Sequence, residues 1–226
     1  MSTSQVTITR SQSAVIAAIA LLIMAIIAPI AVFGMIGEML DVADATKTFQ
    51  NISNGQSAFR TGIVILLVVA VLDIVTSWAL YLFFHQVNDR LSLLAAWFRL
   101  VYTAILAAAA FFLIQALQWI NAAPINALGT DLIAFQTSAA LQNFQNSWNI
   151  GLAIFGFHLL LLGYLAYRAA YLKKILGVLL LVAGLGYIID GFGKLLSSGY
   201  TMEVSTFTFI GEVVLIFWLF IKGRRL

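Results

Sequence analysis

Six stretches of this chain are long and apolar enough to cross a lipid bilayer, and little sequence is left between them. A crossing needs roughly 20 mostly apolar residues at about 1.5 Å rise per residue. Such runs fall at residues 13–37, 60–84, 91–120, 150–167, 172–192 and 206–221. Only 9% of the 226 residues are charged and mean hydropathy is +1.02. A soluble domain carries about 25% charged residues because its surface must be solvated. A chain this poor in charge must take lipid as its solvent. The fold class expected is therefore all-α: a bundle of six transmembrane helices forming a single membrane domain over residues 1–226. The third run is longer than a bilayer requires and is expected to tilt or project. The first run is too long for the apolar part of a secretory signal and has no small-residue cleavage site, so it reads as a retained helix.

The basic residues set the expected orientation. With the N-terminus inside, cytoplasmic segments hold Arg10, Arg90, Arg168, Lys173, Lys174, Lys222, Arg224 and Arg225. The opposite side holds Lys47, Arg60 and Lys194, which is eight against three. The positive-inside rule then places both termini in the cytoplasm of an inner membrane. The net charge of +3 belongs to these flanks, so nucleic acid is not an expected partner. The bilayer itself is, and a membrane-protein partner or a second copy of the chain is compatible with the two long outer connections. In the second of these (Asn121 to Trp148), Leu128, Leu132, Phe135, Ala139 and Phe144 recur at near-helical spacing with Gln and Asn between them, which suggests a short amphipathic helix lying on the outer interface or capping the bundle.

Ionisable groups in hydrocarbon cost about 2.5–3.5 kcal/mol each on insertion scales, so each asks for a reason. Asp73, Arg99, His158 and Glu212 lie about 12–17 Å from the cytoplasmic ends of four different runs. They are candidates for one polar layer near the bilayer centre that binds or conducts a small solute, proton or lipid. Asp190 is a secondary candidate near the outer end of the fifth run, with Lys194 one turn on. Ser77 and Tyr81 are two more, because Asp73, Ser77, Tyr81 and His85 repeat every four residues as a polar stripe. The competing reading is structural, with Asp73 and Arg99 as a packing bridge.

Cysteine is absent and there are two histidines, so no metal and no cofactor is expected. His85 and His158 differ in depth by roughly 15 Å, too far to ligate one haem. No nucleophile elbow, phosphate-binding loop or His-Glu-x-x-His motif occurs, which argues against an enzyme. Gly177, Gly184 and Gly191, with Gly156 and Gly163, repeat every seven residues and suggest close helix packing.

The segment SAFRTGIVILLVVAVLDIVTSWALYLFF from Ser57, then VNDRLSLLAAWFRLVYTAIL, GLAIFGFHLLLLGYL and YLKKILGVLLLVAGLGYIIDGFGKLL, resemble the bacterial membrane family known as domain of unknown function 4386. The resemblance runs from the first helix to the end of the fifth. It implies a six-helix bacterial inner-membrane protein and brings no activity with it. Asp73, Arg99, His158 and Asp190 fall inside these stretches, while Glu212 lies outside them. The family places a proline in the turn before the fifth helix where this chain has Lys173, a departure that should affect only the turn.

Overall fold

The computed structural model describes residues 8–121, 129–197 and 199–226, and every regular element among them is helical. Six helical spans are long and apolar enough to cross a membrane, and the expected fold class holds. The first combines α1 (Arg10–Pro29) with a π-helical turn over Ile30–Ile36 and a 3-10 turn over Gly37–Met39. The change of winding begins next to Pro29, whose ring carries no N–H and disrupts the regular i to i−4 ladder. Helix α2 (Ala45–Asn54) lies in the connection that follows. The next two spans are α3 (Gln56–Phe84) and α4 (Asp89–Ile120).

Helix α5 runs unbroken from Thr130 to Arg168, 39 residues in all. This corrects the expectation of a separate interfacial helix before the fourth span. Leu128 lies outside the described residues. Leu132 and Phe135 are exposed, while the buried stripe is Ile133, Ala134, Thr137, Ser138, Leu141 and Phe144. The apolar periodicity was real, but the face that packs is offset by a residue or two and includes two hydroxyls.

Helix α6 (Lys174–Leu196) begins after Lys173, whose backbone stands at φ −73°, ψ 130°. That is the geometry a proline ring imposes, so the lysine fills the turn without altering it. The last span is interrupted. Short α7 (Val204–Thr208) gives way at Phe209 to α8 (Ile210–Ile221), and a 3-10 turn over Gly223–Arg225 follows.

The chain resolves into two compact units, with the divisions falling inside α1, α3, α4 and α5. The first unit holds residues up to Ile23, Leu72–Tyr102 and Leu152–Leu226. Its core is built from small, branched and aromatic residues, among them Ala14, Ala18, Ala79, Phe83, Leu159, Leu162, Leu180 and Leu219. Within it α5 and α6 meet through glycine. A Cβ on Gly184 would lie 2.7 Å from the Gly156 carbonyl oxygen, and one on Gly177 would lie 2.7 Å from that of Gly163. Backbones this close leave no room for side chains, and dispersion across the contact replaces the missing hydrophobic drive in lipid. Gly211 on α8 is pressed equally close to the Leu179 carbonyl of α6.

One end of this unit gathers several chain segments. Arg10 bonds the Gln86 side chain and stacks 4.4 Å over the Tyr171 ring. The Ser11 hydroxyl donates to the Arg224 carbonyl at 2.6 Å, and Tyr171 donates to the Phe83 carbonyl at 3.1 Å. Burial pushes the Tyr171 phenol up to about 12. The N-terminal segment, the α3–α4 turn, the α5–α6 turn and the C-terminus therefore share that end.

The second unit comprises Met24–Val71 and Thr103–Gly151. Ile52, Phe59, Leu66, Leu106, Leu113, Ile133 and Leu141 fill its core. Asp44 caps α2 through the Lys47 N–H at 2.9 Å. Lys47 also pairs with Asp41 at 2.8 Å, which holds the Asp41 carboxyl below its usual range and the Lys47 ammonium above its own.

Gly184→Leu should destabilise the protein by about 1–3 kcal/mol, because the added side chain meets backbone on α5. Gly34→Ala, where the new methyl meets nothing within 4 Å, should be neutral. Unfolding of both variants in detergent, followed by helical circular dichroism, checks the contrast.

Candidate functional site

The first unit brings Asp73, Arg99 and His158 into direct contact, one each from α3, α4 and α5. Each is buried inside a membrane-spanning helix, so its polar atoms have no water to turn to and must find one another. Arg99 donates from Nε to Asp73 Oδ1 at 2.8 Å and from Nη2 to the same oxygen at 2.5 Å. Its Nη1 faces His158 Nε2 at 3.3 Å. On the far side of the ring, His158 Nδ1 lies 2.9 Å from the Ala95 carbonyl oxygen. A carbonyl only accepts and a guanidinium only donates. The imidazole is therefore assigned as the Nδ1–H tautomer, with the Nε2 lone pair turned to Arg99. All three residues are at most 4% exposed.

Aromatic rings enclose this chain of contacts. Phe155 stacks on His158 at 5.4 Å between centroids and lies 5.3 Å from the Arg99 guanidinium. Tyr102 and Tyr187 pack on Phe155 at 5.0 and 5.4 Å. Glu212, in the first turn of α8, sits beside Tyr187 and within electrostatic reach of Arg99 and Asp73. Its Oε1 is buried and has no hydrogen-bond partner. The Thr76 hydroxyl, on α3, is likewise buried without one.

The secondary candidates lie elsewhere and have partners of their own. Ser77 donates to the Ala96 carbonyl at 2.9 Å, tying α3 to α4. Tyr81 donates to Asp89 at 2.9 Å, and His85 bonds the Leu82 carbonyl of its own helix. The four-residue repeat is thus a series of local contacts rather than one continuous polar path. Asp190 is also accounted for. Its Oδ1 accepts from the Tyr200 hydroxyl at 2.7 Å and the Val204 N–H at 2.9 Å, and its Oδ2 from the Ser205 N–H at 2.7 Å. A carboxylate there satisfies the orphan N–H groups that open α7. The partnership first considered, with Lys194, is replaced by this cap. Accepting that hydrogen bond, Asp190 pushes the Tyr200 phenol up to about 12.

Three members of the site were not read from the sequence. Phe155, Tyr102 and Tyr187 look like ordinary core aromatics in the sequence, and only the spacing of Tyr102, three residues from Arg99, places it on the same helix face. The Ala95 carbonyl that orients His158 has no signature in side-chain spacing at all. Among the described residues no group of three His, Asp or Glu side chains is placed to hold a metal ion.

A multi-pass helical protein with a charged cluster buried among its spans is the class these features define. The chain belongs to the family described as domain of unknown function (DUF4386), whose profile matches residues 16–223. Glu212, outside the stretches that carried the resemblance, falls inside the matched region. An uncharacterized protein of Archaeoglobus fulgidus is 37% identical over 164 residues, covering 73% of this chain and 85% of the relative. That relative is archaeal, so proteins similar to this one are not confined to bacteria. No solved structure matches the chain.

Asp73→Asn and Arg99→Gln should each cost about 3–5 kcal/mol, since either leaves a buried charge without its partner. The double variant should cost clearly less than the sum of the two, as measured by a denaturant-unfolding double-mutant cycle. Asp190→Asn should return the Tyr200 ionisation from about 12 toward the ordinary tyrosine value, read as tyrosinate absorbance during an alkaline titration. The sign follows from linkage. The raised folded value stabilises fully below about pH 10, and that contribution is lost as pH rises through about 12.

Proposed function

We propose that this is a non-enzymatic protein of a bacterial inner membrane whose polar layer binds or conducts a small solute, proton or lipid. The observation that carries this reading is convergence. Asp73, Arg99 and His158 come from three helices to one cluster, and a fourth helix adds Glu212 with an acceptor oxygen left open. Intramembrane charges that serve packing alone are expected to end in mutual satisfaction, and Glu212 Oε1 does not.

An enzymatic role is disfavoured by the hydrogen bonds themselves. The Ser77 hydroxyl is engaged by a backbone carbonyl, and His158 presents its lone pair to a guanidinium rather than to a nucleophile. The orientation with both termini cytoplasmic draws support from the end of the first unit where Arg10, Gln86, Tyr171 and Arg224 meet. Arg90, Arg168, Lys173 and Lys174 flank the turns gathered there, so the basic residues cluster with both termini.

A second reading is favoured by a specific observation. Asp73 and Arg99 satisfy each other, and His158 ties that pair to the α4 backbone, as a packing bridge would. On that reading the protein is an accessory component, and its two long connections meet a membrane partner or a second copy.

Thermal unfolding of the purified chain across a panel of solutes, lipids and pH values separates the two, because a ligand of the folded state raises the melting temperature with concentration. The binding reading expects at least one compound to stabilise the wild type and to lose that effect in Arg99→Gln and His158→Gln. A flat panel, with both variants only less stable, supports the accessory role.

A further inference from the structure

The second unit holds two basic residues, Lys47 and Arg60. Lys47 pairs with Asp41, whereas no carboxylate among the described residues pairs with Arg60. Arg60 is the fifth residue of α3 and is exposed, so its fork of N–H donors is open to a partner from outside the chain.

That guanidinium belongs to the lining of an open groove of about 670 Å³ between α3 and α4. Ile63 and Val64 follow Arg60 by three and four residues and share its face of α3. Ile114 and Leu117 line the groove from α4, with Asn121 just past that helix's end. Gln56 and Asn121 exchange side-chain hydrogen bonds at 3.5 Å, which sets the start of α3 level with the end of α4. The groove is therefore graded along its length. Arg60 and Asn121 mark its polar end, and Ile63 with Leu117, then Val64 with Ile114, carry it on as an apolar channel. From Asn121 to Ile114 it runs about 10 Å at the helix rise.

Both helices are long and apolar enough to cross a membrane, and Val64 is 59% and Ile114 38% exposed. The apolar part thus opens toward acyl chains rather than water. Half-buried Trp119 stands near the polar end, where tryptophan marks the level of the headgroups. A free anion would leave the channel empty, and a neutral hydrocarbon would leave the guanidinium without a counter-charge. A phosphodiester accepts two N–H donors of one guanidinium, and no carboxylate lines the groove to repel it.

We infer that this groove binds one anionic phospholipid, with its phosphate on Arg60 and an acyl chain laid along Ile63, Val64, Ile114 and Leu117. The site is independent of the charged cluster and stands whether or not that cluster has a ligand.

The test is native mass spectrometry of the full chain released from detergent, titrated with dioleoyl phosphatidylglycerol, dioleoyl phosphatidylcholine or glycerol 3-phosphate. The two lipids share their chains and differ in headgroup charge, and the third probe has the phosphate without the chains. Wild type should retain one phosphatidylglycerol about tenfold more tightly than phosphatidylcholine, and should not retain glycerol 3-phosphate. Arg60→Gln should remove most of that preference, since hydrogen bonds to a charged group are lost. Arg60→Lys should keep part of it, as the charge stays and the fork does not. Val64→Trp, which fills the channel, should weaken both lipids. Arg90→Gln, which removes an exposed guanidinium outside the groove, should change nothing. Equal retention of the two lipids by wild type, or an undiminished preference in Arg60→Gln, overturns the inference. So does tight retention of glycerol 3-phosphate, which would make Arg60 a site for free anions. A lipid-independent dimer that Val64→Trp dissociates overturns it as well, because the groove is then a contact between copies of the chain.

Discussion

The cost of placing charge in hydrocarbon governs this structure more than any other term. An isolated guanidinium or carboxylate among apolar helices is strongly disfavoured, and mutual pairing is the means by which Asp73 and Arg99 are tolerated. Because both donors reach a single oxygen of Asp73, the geometry fixes the relative rotation of α3 and α4 at that level. Ser77, one turn along α3, bonds the Ala96 carbonyl nearby and reinforces the same register. His158 then ties α5 to α4 through a backbone carbonyl, so one cation organises three helices.

Packing on the other side of α5 works by an opposite device. Where the charged face needs partners, the glycine face needs their absence. Gly156 and Gly163 let α5 approach Gly184 and Gly177 on α6 until backbone meets backbone. That closeness brings Tyr187 of α6 against Phe155 of α5, and hence beside the charged cluster. The seven-residue glycine repeat and the aromatic wall of the site are therefore one feature seen from two sides.

Much of this was legible in the sequence. The spans followed from the lengths of apolar runs, because lipid leaves the backbone no alternative to helix. The common depth of Asp73, Arg99, His158 and Glu212 followed from helix rise alone, and the structure brings the first three into contact. What depth cannot reveal is azimuth. The pairing of Arg99 with Asp73 rather than Glu212 depends on how each helix is rotated, and rotation is set by contacts between helices. The same limit explains α5, where the polar residues between Asn121 and Trp148 suggested a break but the turn-to-turn ladder ran on through Gln and Asn, both of which a helix accommodates. It also explains Asp190. Its partners are backbone N–H groups of α7, which a reading of side-chain spacing does not include.

Buried charges that exist only to hold helices together should be mutually satisfied, since any remainder is pure cost. In this cluster the remainder is one carboxylate oxygen on α8. Glu212 is not needed to neutralise Arg99, which Asp73 already does, nor to cap α7, which is done by Asp190. What packing leaves unexplained is thus the open carboxyl oxygen, and that oxygen is the feature on which the binding reading rests.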